Sequence, residues 1–123
     1  MFTYAPGDDV GPLEPWPLDN PASAYAIRKG DPRTSGRIDA GGAGHPTRHG
    51  MWRCTAGALD CTEQGDELMV VLAGRGRVID HASGQVTELR PGVSHFLRDG
   101  ARVTWEIDAD LTKVFFGHKP GGY

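Results

Sequence analysis

Apolar and polar positions alternate in short runs along this chain, and glycine- and proline-rich turns cut the runs apart. The strongest run is Glu67-Leu68-Met69-Val70-Val71-Leu72, with Ala73-Gly74 closing it. Around it, Ala24–Arg28, Arg37–Asp39, His49–Thr55, Ala58–Glu63, Arg75–Asp80, Gln85–Leu89, Val93–Leu97, Arg102–Ile107 and Leu111–Gly117 read as further strands. Gly30-Asp31-Pro32, the glycine-rich segment Ala40–Pro46 and Ser83-Gly84 punctuate them. Only Ala101–Phe116 runs long enough without Gly or Pro to suit a helix. Its Val, Thr, Trp, Ile and Phe content predicts two strands about Asp108-Ala109-Asp110 instead. Short strands at regular spacing with glycine turns predict an all-β sandwich or barrel.

One hairpin can be placed by register. Gly57-Ala58 lies between two strand-like runs, and Gly at the first loop position suits a type II′ turn. A two-residue loop there pairs Cys54 with Cys61 and Trp52 with Glu63, which puts these four side chains on one face. Ahead of the strands, Pro6, Pro12, Pro15, Pro17 and Pro21 oppose both helix and ladder pairing. The organisation expected is a Pro-rich arm over 1–22, a barrel over 23–118 and a short tail over 119–123. Two readings of the arm are open: loosely ordered, or pinned to the barrel or a partner subunit by Trp16 and Leu18.

The composition narrows the class. The 123 residues include 18 glycines and 9 prolines, which excludes a coiled coil or helical bundle. With 38% hydrophobic residues gathered into runs, the chain is not disordered. The net charge is -3 and no basic stripe exists, so a nucleic-acid partner is not expected. No apolar run approaches the roughly 20 residues of a membrane span, and the N-terminus lacks a signal-peptide pattern, so a cytoplasmic location is expected. Two cysteines are too few for a disulfide framework.

The order of several short motifs then carries a resemblance. These are Gly50-Met51-Trp52, the Gly57 turn, Asp66-Glu67, Leu72-Ala73-Gly74, Pro91-Gly92 and Thr104-Trp105-Glu106, with Gly30-Asp31-Pro32 upstream and Lys113 downstream. Over about residues 25 to 117 the chain resembles the cupin superfamily. Within it, the chain is similar to the small single-domain cupins related to ureidoglycine aminohydrolase and to the ethanolamine-utilisation cupin. The resemblance implies a small antiparallel β-barrel of the double-stranded β-helix or jelly-roll type, and a homodimer. It also implies a metal position held by two His, a Glu and a further His. Here the two His positions hold Cys61 and Glu63, the second-motif His position holds Val103, and Glu67 alone matches. The family's metal chemistry therefore does not carry over as it stands.

The candidate residues follow. Glu67 shares the face of Met69 and Val71; a carboxylate in an apolar barrel has its pKa raised and works as a general acid or base. Partners at a barrel rim are the plain alternative for it. His95 alternates with Val93 and Leu97 and is the expected titratable partner of Glu67. Trp52, Glu63, Trp105, Cys61 and Met69 are the expected substrate-binding residues, although core packing also explains the two tryptophans, and Cys61 also suits a small buried hydrophobe. His45 and His49 read as loop residues, His81 as part of a turn and His118 as near a frayed tail, while Arg53 and Arg102 read as solvated or interfacial. The leading expectation is a small-molecule enzyme with acid/base, non-redox chemistry (isomerisation, dehydration or cyclisation) and no cofactor. Two alternatives stand beside it. One is a binding or sensing module without catalysis, the other an atypical metallocupin holding zinc or manganese through Cys/Glu/His ligands.

Overall fold

The computed structural model describes all residues, Met1–Tyr123. Nine strands form one antiparallel sheet that curls over itself: β1 (Glu14–Pro15), β2 (Ala26–Lys29), β3 (Thr34–Gly41), β4 (Thr47–Cys54), β5 (Gly57–Thr62), β6 (Asp66–Asp80), β7 (Val86–Leu89), β8 (Ser94–Leu97) and β9 (Arg102–His118). A single 3-10 turn at Pro21–Ser23 is the only helical piece.

The long strands β6 and β9 make the frame. They pair from Asp66↔His118 to Asp80↔Val103, with register shifts between Val71 and Gly76. The first half of β6 pairs β8 and the second half pairs β7. Likewise β4 lies along the C-terminal half of β9, followed by β3 and β1, while β5 and then β2 lie along its N-terminal half. The ribbon bends where its register shifts, so each half carries its own wing, and the inward faces of the two wings enclose one core of Met69, Val71, Val78, Val103, Trp105, Phe115 and their neighbours. The fold is the expected all-β barrel.

Four details depart from the expectation. Ala101–Phe116 is not two strands but part of the continuous 17-residue β9, and β6 runs straight through Gly74. The Gly57 hairpin does not form: β4 and β5 pair successive stretches of β9, with Cys54↔Leu111 and Gly57↔Ile107. Thr55-Ala56 instead carries the chain from one wing to the other, fixed by Ala56 N–H donating to Asp110 Oδ1 at 3.1 Å. The local turn chemistry lost to the long strand, which offered each run a better ladder partner. Cys54 and Cys61 are both buried and free. His49 lies in β4, not a loop, with Nδ1 3.7 Å from Asp39 Oδ2. The tail is not frayed: His118 ends β9, and Tyr123 N–H donates to the His45 carbonyl at 3.0 Å.

The arm is pinned twice. Val10 packs with Met51 and Leu72 on the outer face, together with Tyr4 and Leu13. Arg37 holds it there by donating to the Val10 carbonyl at 2.6 Å and to Tyr4 Oη at 2.9 Å. Further on, Trp16 lies over Gly36, where a Cβ would stand 2.3 Å from the indole, so only glycine leaves this seat. Arg102, expected to be solvated or interfacial, ties the Pro21–Ser23 turn down through the Ala24 carbonyl at 2.7 Å.

Gly74 sets the corner of the ribbon. It has φ of 89° and a Cβ there would lie 2.1 Å from the Asp110 carbonyl. Gly74→Ala should therefore cost more than about 2 kcal/mol, since the left-handed conformation alone costs about 1–2 kcal/mol and a backbone clash adds to it. Gly84→Ala, at a similar φ of 73° but facing open space, should cost only about 1 kcal/mol. Urea unfolding of the two variants checks this, and equal losses would show that the corner is not constrained.

Candidate active site

The curled sheet leaves a cavity of about 370 Å³ at one end of the core. Its walls come from the arm (Trp16), β4 (Arg48, Trp52), β5 and the residues after it (Cys61, Glu63), β6 (Glu67), β9 (Trp105, Lys113, Phe115) and the tail (Tyr123).

Lys113 is the centre of the site. Period-two alternation along β9 puts Val103, Trp105, Ile107, Leu111, Lys113 and Phe115 on the inward face, so Lys113 is driven into the core by the same pattern that buries its apolar neighbours. Its Nζ lies 2.9 Å from Glu67 Oε2, and both side chains are buried. The ammonium also sits 4.6 Å from the Trp52 ring centroid and 4.5 Å from that of Trp105, and the two indoles are 5.5 Å apart. A buried charge pair is tolerated only when further interactions offset its desolvation, and here two cation–π contacts add to the ion pair.

Glu63 and Cys61 complete the cluster. The Glu63 backbone is clamped by its N–H donating to the Ala101 carbonyl at 2.8 Å and its carbonyl accepting from Gly100 N–H at 2.9 Å. Burial, and then the neighbouring Glu67 carboxylate, push the Glu63 carboxyl up to about 7. The Cys61 thiol donates to Glu63 Oε1 at 3.5 Å. Burial pushes that thiol far up, so it is a protonated donor and not a thiolate; burial likewise pushes Cys54 up to about 12.

Of the expected site residues, Glu67, Trp52, Glu63, Trp105 and Cys61 all line this one cavity. Trp52, Cys61 and Glu63 meet across it, although the hairpin that was to join them is absent. Met69 does not line it; it is packed in the core at 1% exposure. His95 is not there either. Its ring packs 5.7 Å from that of Trp105 and lines a second cavity of about 340 Å³, with Nε2 buried and unpaired. Burial, and then the charge of Lys113, push His95 down to about 4, so it is neutral at neutral pH. Sequence reasoning missed Lys113, Arg48 and Tyr123 as site residues. The signal for Lys113 was present as a lysine at an inward position between Leu111 and Phe115.

The donor set does not suit zinc or manganese. A metal there would have to displace the protons of a buried thiol and of a carboxyl that burial and Glu67 push up, beside the Lys113 ammonium. Glu67 is already engaged by an ammonium, and His95 faces the other cavity. No three His, Cys, Asp or Glu side chains converge on one point.

Two predictions follow from this electrostatic arrangement. Lys113→Met leaves the Glu67 carboxylate buried and unpaired and should cost about 3–5 kcal/mol, whereas the double variant with Glu67→Gln should recover most of that loss. Additive losses in denaturant unfolding would show that the pair is not coupled. The second prediction concerns pH. Glu63 rises from 4.5 to about 7 on folding, so its contribution to stability is full below pH 4.5 and is lost as pH rises toward 7. His95 falls from 6.5 to about 4, so its contribution is full above pH 6.5 and is lost as pH falls toward 4. The two slopes oppose each other between pH 4.5 and 6.5. Unfolding midpoints of Glu63→Gln should thus rise with pH across that window and those of His95→Gln should fall; parallel profiles would contradict both assignments.

Residues 41–115 match the EutQ-like cupin domain. No curated protein is significantly similar in sequence. Among solved structures, EutQ of Clostridium difficile superposes with a TM-score of 0.61 at 14% identity over 72% of this chain and 70% of that one. A cupin-like protein of Thermotoga maritima gives 0.66 at 10% identity over 91% of this chain and 82% of that one. A chain from the structures of the DMSP lyases RdDddP and RnDddQII gives 0.58 at 19% identity over 72% of this chain and 48% of that one. At such identities these likenesses establish the cupin fold and nothing finer.

Proposed function

The chain belongs to the EutQ-like cupin domain family, and from that premise we propose that its cavity binds a small organic molecule and transforms it by proton transfer, without redox chemistry. The observation that carries this reading is the Glu63 carboxyl, held at about 7 beside a buried Lys113–Glu67 pair in an aromatic cavity. A carboxyl titrating at the working pH is available as both acid and base. Glu63 gives or takes the proton. Lys113, fixed by Glu67 and by two indoles, supplies a positioned positive charge for an oxygen that becomes negative in the transition state. Glu67, the first expectation for the proton carrier, becomes the residue that positions Lys113. Trp16, Trp52 and Trp105 hold the substrate's body. Isomerisation, dehydration and ring closure need only such groups. The barrel itself hosts unrelated activities and does not choose among them.

A second reading, a binding or sensing module without catalysis, is favoured by one observation. Both the ammonium and the carboxylate of the central pair already have partners within the chain.

Untargeted mass spectrometry of a small-metabolite mixture incubated with the protein separates the two. Proton-transfer catalysis predicts products of unchanged mass or lacking one water, slowed about a hundred- to ten-thousand-fold in Glu63→Gln. Retention of ligand without conversion supports the sensing module, and products differing by two hydrogens would overturn the non-redox reading.

A further inference from the structure

One wall of the cavity holds a cation that the proton-transfer chemistry does not use. Arg48 lies inward on β4 at the cavity wall, and no carboxylate pairs with it. Its guanidinium is held 4.1 Å from the Tyr123 ring centroid and 5.5 Å from that of Phe115. Its Nε is buried without an acceptor, and so is the Tyr123 hydroxyl. Buried donors are seldom left without an acceptor in a folded protein. Arg48 is thus a charged side chain held at the cavity wall by aromatic rings with no countercharge of its own. The tail keeps this wall in place through Gly44 N–H donating to the Tyr123 carbonyl at 3.0 Å.

The charge balance points the same way. Arg48, Lys113 and Lys119 line the cavity against Glu63 and Glu67 only. Glu67 is neutralised by Lys113 and Glu63 is half protonated near neutrality, so the cavity is positive in a chain of net charge -3. Arg48 stands four residues from Trp52 along the strand, about 13 Å of backbone, and Trp52 is the register partner of Lys113. Arg48 also pairs Gly117, which on its other side pairs Glu67, so the free cation lies one strand across from the reactive cluster on the same aromatic-lined cavity.

We propose that the cavity takes a small monocarboxylate with a flat unsaturated or aromatic body, its carboxylate on the Arg48 guanidinium and its body against the aromatic rings beside Glu63 and Lys113. This rests on the cavity being the functional site and names the class of molecule that enters it. A planar guanidinium fork matches a carboxylate. Lys119, which reaches only Gln64 Oε1 at 3.5 Å, is a further cation of this wall, so phenyl phosphate stands among the probes as the competing anion.

The probes are benzoate, phenylacetate and cinnamate, with the matching neutral amides and phenyl phosphate. Binding is read by calorimetry and by the NMR signals of the Trp indole and Arg48 Nε–H protons. Cinnamate should bind and shift the Arg48 signal, while cinnamamide should bind at least about tenfold more weakly. Arg48→Gln should lose a similar factor for cinnamate but not for cinnamamide. Arg48→Lys should lie between the two, and unchanged far-UV spectra would show that both variants fold. Equal binding of acid and amide, tighter binding of phenyl phosphate, or no binding of any carboxylate at millimolar concentration overturns the assignment. The two proposals fail separately. Carboxylates that bind through Arg48 yet are never converted support this inference and remove catalysis. A neutral compound converted in a Glu63-dependent way removes this inference and keeps catalysis.

Discussion

A lysine ammonium buried at the end of an apolar barrel constrains everything around it. Lys113 is 4% exposed, and an ammonium so far from water must have a countercharge and polarisable neighbours. Glu67 supplies the first at 2.9 Å, and the faces of Trp52 and Trp105 supply the second. The rest of the local electrostatics follows from that choice. With Glu67 committed to Lys113, a second carboxyl in the same cavity meets a like charge and little water, and Glu63 moves toward neutrality. The Cys61 thiol beside Glu63 stays protonated for the same reason. His95, packed against Trp105, is held neutral by burial and then by the charge of Lys113.

The fold makes this possible because one bent ribbon contributes both charged partners. Glu67 lies near the start of β6 and Lys113 in the second half of β9, and the antiparallel register of those strands sets them on the same inward face. The ribbon must turn a corner to give each half its own wing, and Gly74 against the Asp110 carbonyl is where it does so. The remaining walls are less regular pieces locked by backbone hydrogen bonds. The Glu63 segment is clamped to Gly100-Ala101, the arm brings Trp16, and the tail brings Tyr123. A site assembled from both ends of the chain and its central ribbon is complete only in the fully folded protein.

How far this was legible in the sequence depended on whether an interaction was periodic or positional. Period-two runs located nearly every strand, and the inward set of β6, from Glu67 through Val71, was readable from alternation alone. The errors lie where two long-range choices competed. Gly57 has the chemistry of a tight hairpin, but β4 and β5 each found a longer ladder on β9, and no local signal reports which partner wins. Asp108-Ala109-Asp110 looked like a turn because it is polar, yet it is the outside of a bend within a continuous strand. The prolines of the arm left two readings open, loosely ordered or pinned through Trp16 and Leu18, and the second holds. The arm is fixed by side-chain packing around Val10 and Trp16 and by the short ladder of Glu14–Pro15 on β3. His95 was placed on the correct face, but facing inward does not select a cavity, and its ring lines the second one beside Trp105.

The substitutions at the expected metal positions acquire a physical sense once Lys113 is in view. With Cys61 and Glu63 at the histidine positions, the site offers a buried thiol and a carboxyl pushed up by burial and Glu67, both of which would have to lose a proton beside an ammonium to hold a metal. A metal and an ammonium answer the same need, a fixed positive charge that orients a carboxylate and polarises an oxygen. The ammonium adds nothing redox-active and needs no vacant coordination position. Trp52 and Trp105 fit this substitution, because indole faces stabilise an organic cation and are poor ligands for a divalent metal. The proposed chemistry, proton movement beside a permanent charge, fits such a cavity, and Glu63 is the one carboxyl there that the lysine does not hold.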